Sequence, residues 1–191
     1  MSIMQDAVTQ AIAARIRSER AKRDWSIEDL ARHSGVSRAM ISKIERAESS
    51  PTAVVIARLS GAFDLTMSDL LAAPKLEPKL LVRRAQQQVW NDPGSGYTRR
   101  ALSPQPDSPL QLVQVELPAR AKIGFPSSAY DFLHQQIWVQ SGVLHFTEGP
   151  RTHVLQRGDC LQLGPPENCV FYNPGGKSCK YLVAVVLRRR Q

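Results

Sequence analysis

Apolar residues recur at helical spacing through the first seventy positions. The pairs Ile12 and Ile16, Ile27 and Leu30, Ile41 and Ile44, Val55 and Leu59, and Leu70 and Leu71 mark five helices. The first is predicted from about Val8 to Arg23, with a break at Asp24-Trp25. Ser26 is a good N-cap for the second, and Asp29 stands three residues on, in the capping-box position. Gly35 closes that helix because it can take the left-handed conformation of a tight turn. Ser37 then caps a third helix, Arg38 to about Arg46. Two more are predicted near Thr52–Phe63 and Ser68–Leu71.

After Pro74 the period changes. Apolar segments become short and rich in β-branched residues: Leu110–Leu117, Ile137–Val139, Val143–Phe146, Cys160–Leu163, Val170–Tyr172 and Tyr181–Leu187. Of the 13 prolines only Pro51 precedes Pro74, and turn clusters such as Asn91–Gly96 and Asn173–Gly176 separate the strands. Short strands at regular spacing predict an antiparallel barrel or sandwich. Ala73–Lys79 reads as a linker. The expected fold class is α + β in two domains: a helical bundle over 1–73, a linker over 74–80, and a β-barrel over 81–191.

The second and third helices form a helix, a glycine-containing turn and a second helix with outward polar residues, the arrangement that places a helix in the DNA major groove. Anchoring by Val36, Ile41 and Ile44 leaves Arg38, Ser42 and Lys43 outward. Arginine can pair bidentately with guanine, and Ser or Lys can donate to bases or phosphates. Ser26 and Ser37 at helix starts suit phosphates, and Arg46, Ser50 and Thr52 are further phosphate candidates. The net charge of +8 suits a polyanion, yet residues 1–73 hold ten Lys and Arg against nine Asp and Glu, a net of only +1. Placement, not bulk charge, carries the expectation of a double-stranded DNA operator.

The run Leu30 to Thr52, L-A-R-H-S-G-V-S-R-A-M-I-S-K-I-E-R-A-E-S-S-P-T, resembles the lambda-repressor-like (XRE-type) helix-turn-helix. The resemblance covers roughly residues 10–72. It implies a five-helix bundle whose third helix reads DNA, in a dimer on a two-fold site. Ala47 departs from the family, which often has glycine there, and the exit from the third helix is expected to differ slightly.

The β segment resembles cupins. Gly158, Gly164, Pro166, Cys169 and Asn173 stand at the spacing of the second cupin motif, and Gln135 and Gly142 align with the end of the first. The resemblance implies a cupin-like barrel. Metal-binding cupins supply two His and a Glu from the first motif and a His from the second. Here the two His positions fall around Ser128–Asp131, which has no histidine, the Glu position is Gln135 and the final His position is Cys169. A neutral amide and one thiol make a poor site. No metal, no cofactor and no catalytic residue is therefore expected. The alternatives are a metal-dependent cupin enzyme with an accessory DNA-binding domain, or a purely structural barrel.

Strand parity turns Gln135, Ile137 and Val139 one way and His134, Gln136 and Trp138 the other. Gln135, Cys169 and Phe171 are expected inside a pocket for a small organic effector, with Tyr130, Phe132 and His134 at its mouth. Cys160 and Cys179 read as small buried apolar residues, His33 as a surface residue, and Trp25 and Trp90 as packing residues. The tail Arg188–Arg190 reads as solvated. Three cysteines without a CxxC pair argue against a disulfide framework, and no apolar run nears the roughly 20 residues of a bilayer span. The N-terminus lacks signal-peptide character, so the expectation is a cytoplasmic, homodimeric transcription regulator without a membrane partner.

Overall fold

The computed structural model describes residues 2–72, 80–105 and 108–187, with side chains from residue 7 onward. The expected linker, apart from Leu80, and the tail Arg188–Arg190 lie outside these residues.

Five helices form the N-terminal bundle: α1 (Ser2–Ala21), α2 (Ile27–Ser34), α3 (Arg38–Glu45), α4 (Ala53–Ala62) and α5 (Met67–Leu71). Helix α1 begins earlier than the apolar spacing indicated. Ser26 and Asp29 form a reciprocal capping box at the start of α2, and Gly35 ends it at φ +66°. Ile12, Ile16, Leu30, Ile41, Ile44, Ile56 and Leu59 meet in the core with at most 1% of their surface exposed.

Ten strands follow: β1 (Val89–Asn91), β2 (Thr98–Ala101), β3 (Leu110–Leu117), β4 (Lys122–Phe125), β5 (Leu133–Ser141), β6 (Leu144–Glu148), β7 (Arg151–Leu155), β8 (Cys160–Gln162), β9 (Cys169–Tyr172) and β10 (Cys179–Leu187). They make two antiparallel sheets, ordered β1-β2-β3-β10-β5-β8 and β4-β9-β6-β7. The buried core residues Val113, Ile137, Val139, Phe146, Phe171 and Val183 lie in the interior. The four strands that the apolar pattern missed are short or polar. Strand β2 reads T-R-R-A and β7 reads R-T-H-V-L, so neither shows an apolar alternation; their partners supply the pairing. Cys179 is buried as expected, but Cys160 is exposed. It lies on the edge strand β8 opposite the outward Trp138, so the parity of β5 turns it to solvent.

The two halves share one hydrophobic core cluster. Helix α4 presents the small residues Ala53, Ala57 and Gly61 at intervals of four, on one face. At one end of this row the Ala53 N–H donates to Asp92 Oδ1 of the β1–β2 turn at 2.8 Å. Ala57 lies against barrel residues in a shared cavity. At the other end, a Cβ on Gly61 would stand 2.5 Å from the Ser128 carbonyl oxygen, in the 3-10 turn Ser127–Ala129. Beside this row Gln111 of β3 lies 2.7 Å from Thr66 Oγ1 and donates to Asp69 Oδ1 at 2.9 Å, tying the capping box of α5 to the barrel. Gln88 Nε2 donates to the Leu71 carbonyl at 2.6 Å.

Gly61→Ala tests this close approach. Alanine favours a helix by about 1 kcal/mol over glycine. Against a rigid backbone oxygen, overpacking of about 1–3 kcal/mol outweighs that gain. The variant should melt at a lower temperature than the unmodified protein, and an unchanged or raised Tm would contradict the contact.

Candidate nucleic-acid interface and barrel cavity

Helix α3 buries Ile41, Ile44 and Glu45 and turns Arg38, Ala39, Met40 and Lys43 to solvent, with Ser42 half-buried. Its N-cap Ser37 accepts from the Met40 N–H, just as Ser26 accepts from the Asp29 N–H on α2. Arg38 reaches Glu28 at 3.4 Å, with both side chains about two-thirds exposed or more, so the pair is a weak one. Arg46 forms a two-point ion pair with Glu48 (2.6 and 2.9 Å) and hydrogen-bonds Ser42. The six residues Ser26, Ser37, Arg38, Ser42, Lys43 and Arg46 thus belong to the α2–α3 unit. Ser50 and Thr52 are placed differently. The Ser50 hydroxyl is buried without a hydrogen bond among the described residues. Thr52 makes no side-chain cap bond to α4 and lies beside Gly94 of the barrel, 3.5 Å from where a Cβ there would stand. Next to Thr52, itself a phosphate candidate in the sequence, the Ala53 N–H at the start of α4 already donates to Asp92.

Met40 is a further outward residue that the sequence reading does not single out. Its exposure of 37% on the outward face was legible only from helical phase. Glu45 was also missed. It is 5% exposed and holds Arg20 of α1 through two bonds of 2.8 and 2.9 Å, while Arg17 donates to its carbonyl. Arg20 also donates to the Trp25 carbonyl. This charge-assisted pair fixes α3 on α1 from behind, so the outward residues stand on a braced helix.

In the β domain, aromatic rings fill much of the interior. Phe171 packs against Phe125, Phe146 and Tyr181, with ring centroids 4.9–5.8 Å apart. A cavity of about 40 Å³ remains between the barrel and the bundle. Its walls include Ala57, Thr66 and Met67 from the helices and Tyr97, Arg99, Gln135 and Tyr181 from the strands. A second lobe of about 10 Å³ shares Tyr130, Leu133 and Gln135 with the first and reaches Glu148 and Cys169. Tyr130, Gln135, Cys169 and Phe171 therefore all line the interior. Phe132 is half-buried and lines neither lobe. His134, expected at the pocket mouth, is instead exposed on the outer face of β5 with Gln136 and Trp138, because alternate strand residues face opposite sides.

The positions at which a cupin would hold a metal do not fit a divalent cation. Gln135 offers a neutral amide and Asp131 is exposed in the loop before β5. Burial pushes the Cys169 thiol up to about 12, and the thiol donates to the Tyr130 hydroxyl at 3.0 Å. Burial likewise raises the Tyr130 phenol well above its ordinary range. A thiol that stays protonated at neutral pH is a poor ligand and a poor nucleophile.

Comparison with known proteins bears on the helical bundle and on the overall fold. The Helix-turn-helix family model (HTH_3) matches residues 16–70. The N-terminal bundle is an HTH_3 domain. Over 64 residues the chain is 33% identical to the HTH-type transcriptional regulator SutR of Escherichia coli (strain K12), a match spanning 34% of this chain and 36% of that protein. The chain thus spans about a third of that curated relative's length. Across 97% of its length the chain has the fold of an HTH_3 family transcriptional regulator from Vibrio cholerae, with TM-score 0.80 and 21% identity over 99% of that chain. The cupin domain of Schizosaccharomyces pombe Cnp3 aligns with TM-score 0.47 and 11% identity over 56% of this chain and 74% of that one.

Within the HTH_3 domain, Ala47 keeps the turn that glycine often makes. It sits at φ +58°, and the Glu48 N–H reaches back to the Lys43 carbonyl at 2.9 Å. An L-residue in that region costs about 1–2 kcal/mol, part of which glycine returns as unfolded-chain entropy. Ala47→Gly should raise stability by about 0.5–1 kcal/mol in denaturant unfolding. A destabilised variant would show that the Ala47 methyl packs favourably enough to offset the strain.

Proposed function

We propose that the protein is a sequence-specific DNA-binding transcription regulator, with residues 1–73 as the DNA reader and 81–191 as a dimerising sensor that binds a small-molecule effector without a metal. The observation that carries the reading is the capped α2–α3 unit, with Arg38, Ser42 and Lys43 on the face that the core leaves open. The match of residues 16–70 to the HTH_3 family supports it. Arg38 at the start of α3 is the base-reading residue, and Lys43 with the serine caps Ser26 and Ser37 positions the helix on phosphates. Met40 and Ala39 add apolar surface suited to a thymine methyl. Ser50 and Thr52 join only if the region around α4 opens. The proposed place of action is the cytoplasm; no helix among the described residues is long and apolar enough to cross a membrane.

Arg38→Ala should weaken binding to an operator selected from random duplexes by about 1–3 kcal/mol and weaken random-duplex binding less. Equal losses on both would demote Arg38 to a phosphate contact.

Dimerisation is assigned to the outer face of the six-stranded sheet. Trp138 is 46% exposed there, opposite Leu182 of β10, and Leu110 pairs with the exposed Val186 on the same sheet. Among polar neighbours such as His134 and Gln136, these exposed apolar side chains are the part of the face that a second copy would cover. In sedimentation, the unmodified protein should run as a dimer and Trp138→Glu as a folded monomer. A monomeric unmodified protein, or an undisturbed dimer in the variant, would place the interface elsewhere or remove it.

A further inference from the structure

The inner cavity contains an imbalance of charge. Arg99 of β2 is 8% exposed and lines the cavity between bundle and barrel. It forms no ion pair with any carboxylate among the described residues. Among the described residues its side-chain hydrogen bonds go to neutral hydroxyls, Ser68 Oγ at 3.0 Å and Tyr97 at 3.5 Å. Burying a cation without a counter-ion is costly, and burial is usually tolerated where a partner is supplied. A small crevice that shares Arg99 is also walled by Trp90, 2% exposed, whose buried indole N–H has no acceptor among the described residues. Gln135 faces the main cavity, and its side-chain amide makes no hydrogen bond among the described residues. Arg99 thus has neutral partners and no counter-ion on the cavity side, and the unpaired Trp90 N–H lies in the adjoining crevice.

We infer that this cavity takes a small monocarboxylate, its carboxylate held by the Arg99 guanidinium. The inference rests on the effector reading above and names the ligand class. A planar guanidinium matches a carboxylate in two parallel bonds. The surrounding Phe125, Leu133, Phe171 and Val185 suit an organic tail rather than a fully hydrated inorganic ion. A water needs about 10–15 Å³ by this measure, so the cavity of about 40 Å³ holds a carboxylate and a short chain. The second lobe sets a sign limit. Glu148 is buried there, accepting from the Gly164 N–H at 2.8 Å, and would repel a second carboxylate that extended towards it.

The site also touches the DNA reader. Ser68 belongs to α5, and Ala57, Thr66 and Met67 wall the cavity. A carboxylate that draws the guanidinium into the cavity competes with Ser68, so occupancy and the seating of α5 are linked. An effector that binds the two seatings unequally shifts the balance between them.

The test is thermal stabilisation of the full chain at constant ionic strength by acetate, propionate and pyruvate, against acetamide, propionamide, succinate and phosphate. Propionate should stabilise saturably, at least about tenfold more tightly than propionamide, as loss of a charge-assisted pair implies. Arg99→Gln should abolish that preference. Equal binding of acid and amide, unaltered binding in Arg99→Gln, or phosphate or succinate binding better than propionate would overturn the monocarboxylate assignment and leave the effector reading standing. Absence of a saturable shift with any acid overturns the assignment as well; the effector reading is then decided separately by a screen of amino acids, polyamines, sulfur compounds and sugars. Should Arg99→Gln fail to fold, isotope-labelled arginine side-chain spectra of the unmodified protein decide. Propionate must shift a guanidinium signal that propionamide leaves in place, and no such shift overturns the inference.

Discussion

Helix α4 meets the barrel backbone to backbone at Gly61 and Ser128, and the arrangement of the whole chain depends on that approach. Only a helix with small residues along one face can come so near. Ala53 and Ala57 continue the row, and the Asp92 carboxylate receives the helix start. This contact brings the bundle against the barrel, and the cavity between them takes its walls from both halves. It also removes the start of α4 from any phosphate, since the helix pole is satisfied by a carboxylate of the same chain.

The bundle was legible in the sequence because its signals are local. Caps at Ser26 and Ser37, the turn at Gly35 and apolar pairs at helical spacing each act within a few residues. The barrel was legible only in its apolar strands. Strand β2 escaped because two arginines interrupt its four residues, and one of them, Arg99, proved to be an interior residue. Its position depends on pairing with β1 and β3, which no local pattern encodes.

The candidate sites divide in the same way. The outward residues of α3 follow from helical phase, whereas Ser50 and Thr52 depend on where the barrel lies. Parity turns Gln135 inward and His134 outward, and the exposed His134 follows that alternation rather than the pocket mouth. The row Ala53, Ala57 and Gly61 was visible in the sequence at regular spacing. Small residues mark close packing without naming the partner, so the docking itself could not be read.

The shared core bears on how a signal could move. Ala53 and Ala57 have no exposed surface, and Thr66 has almost none. A bundle that swung away would wet this apolar seam and leave Asp92 and Gln111 to find new partners. The two halves are therefore joined less like beads on a string than like a handle and a blade: a displacement of one would be carried to the other through packed backbone rather than lost in a tether.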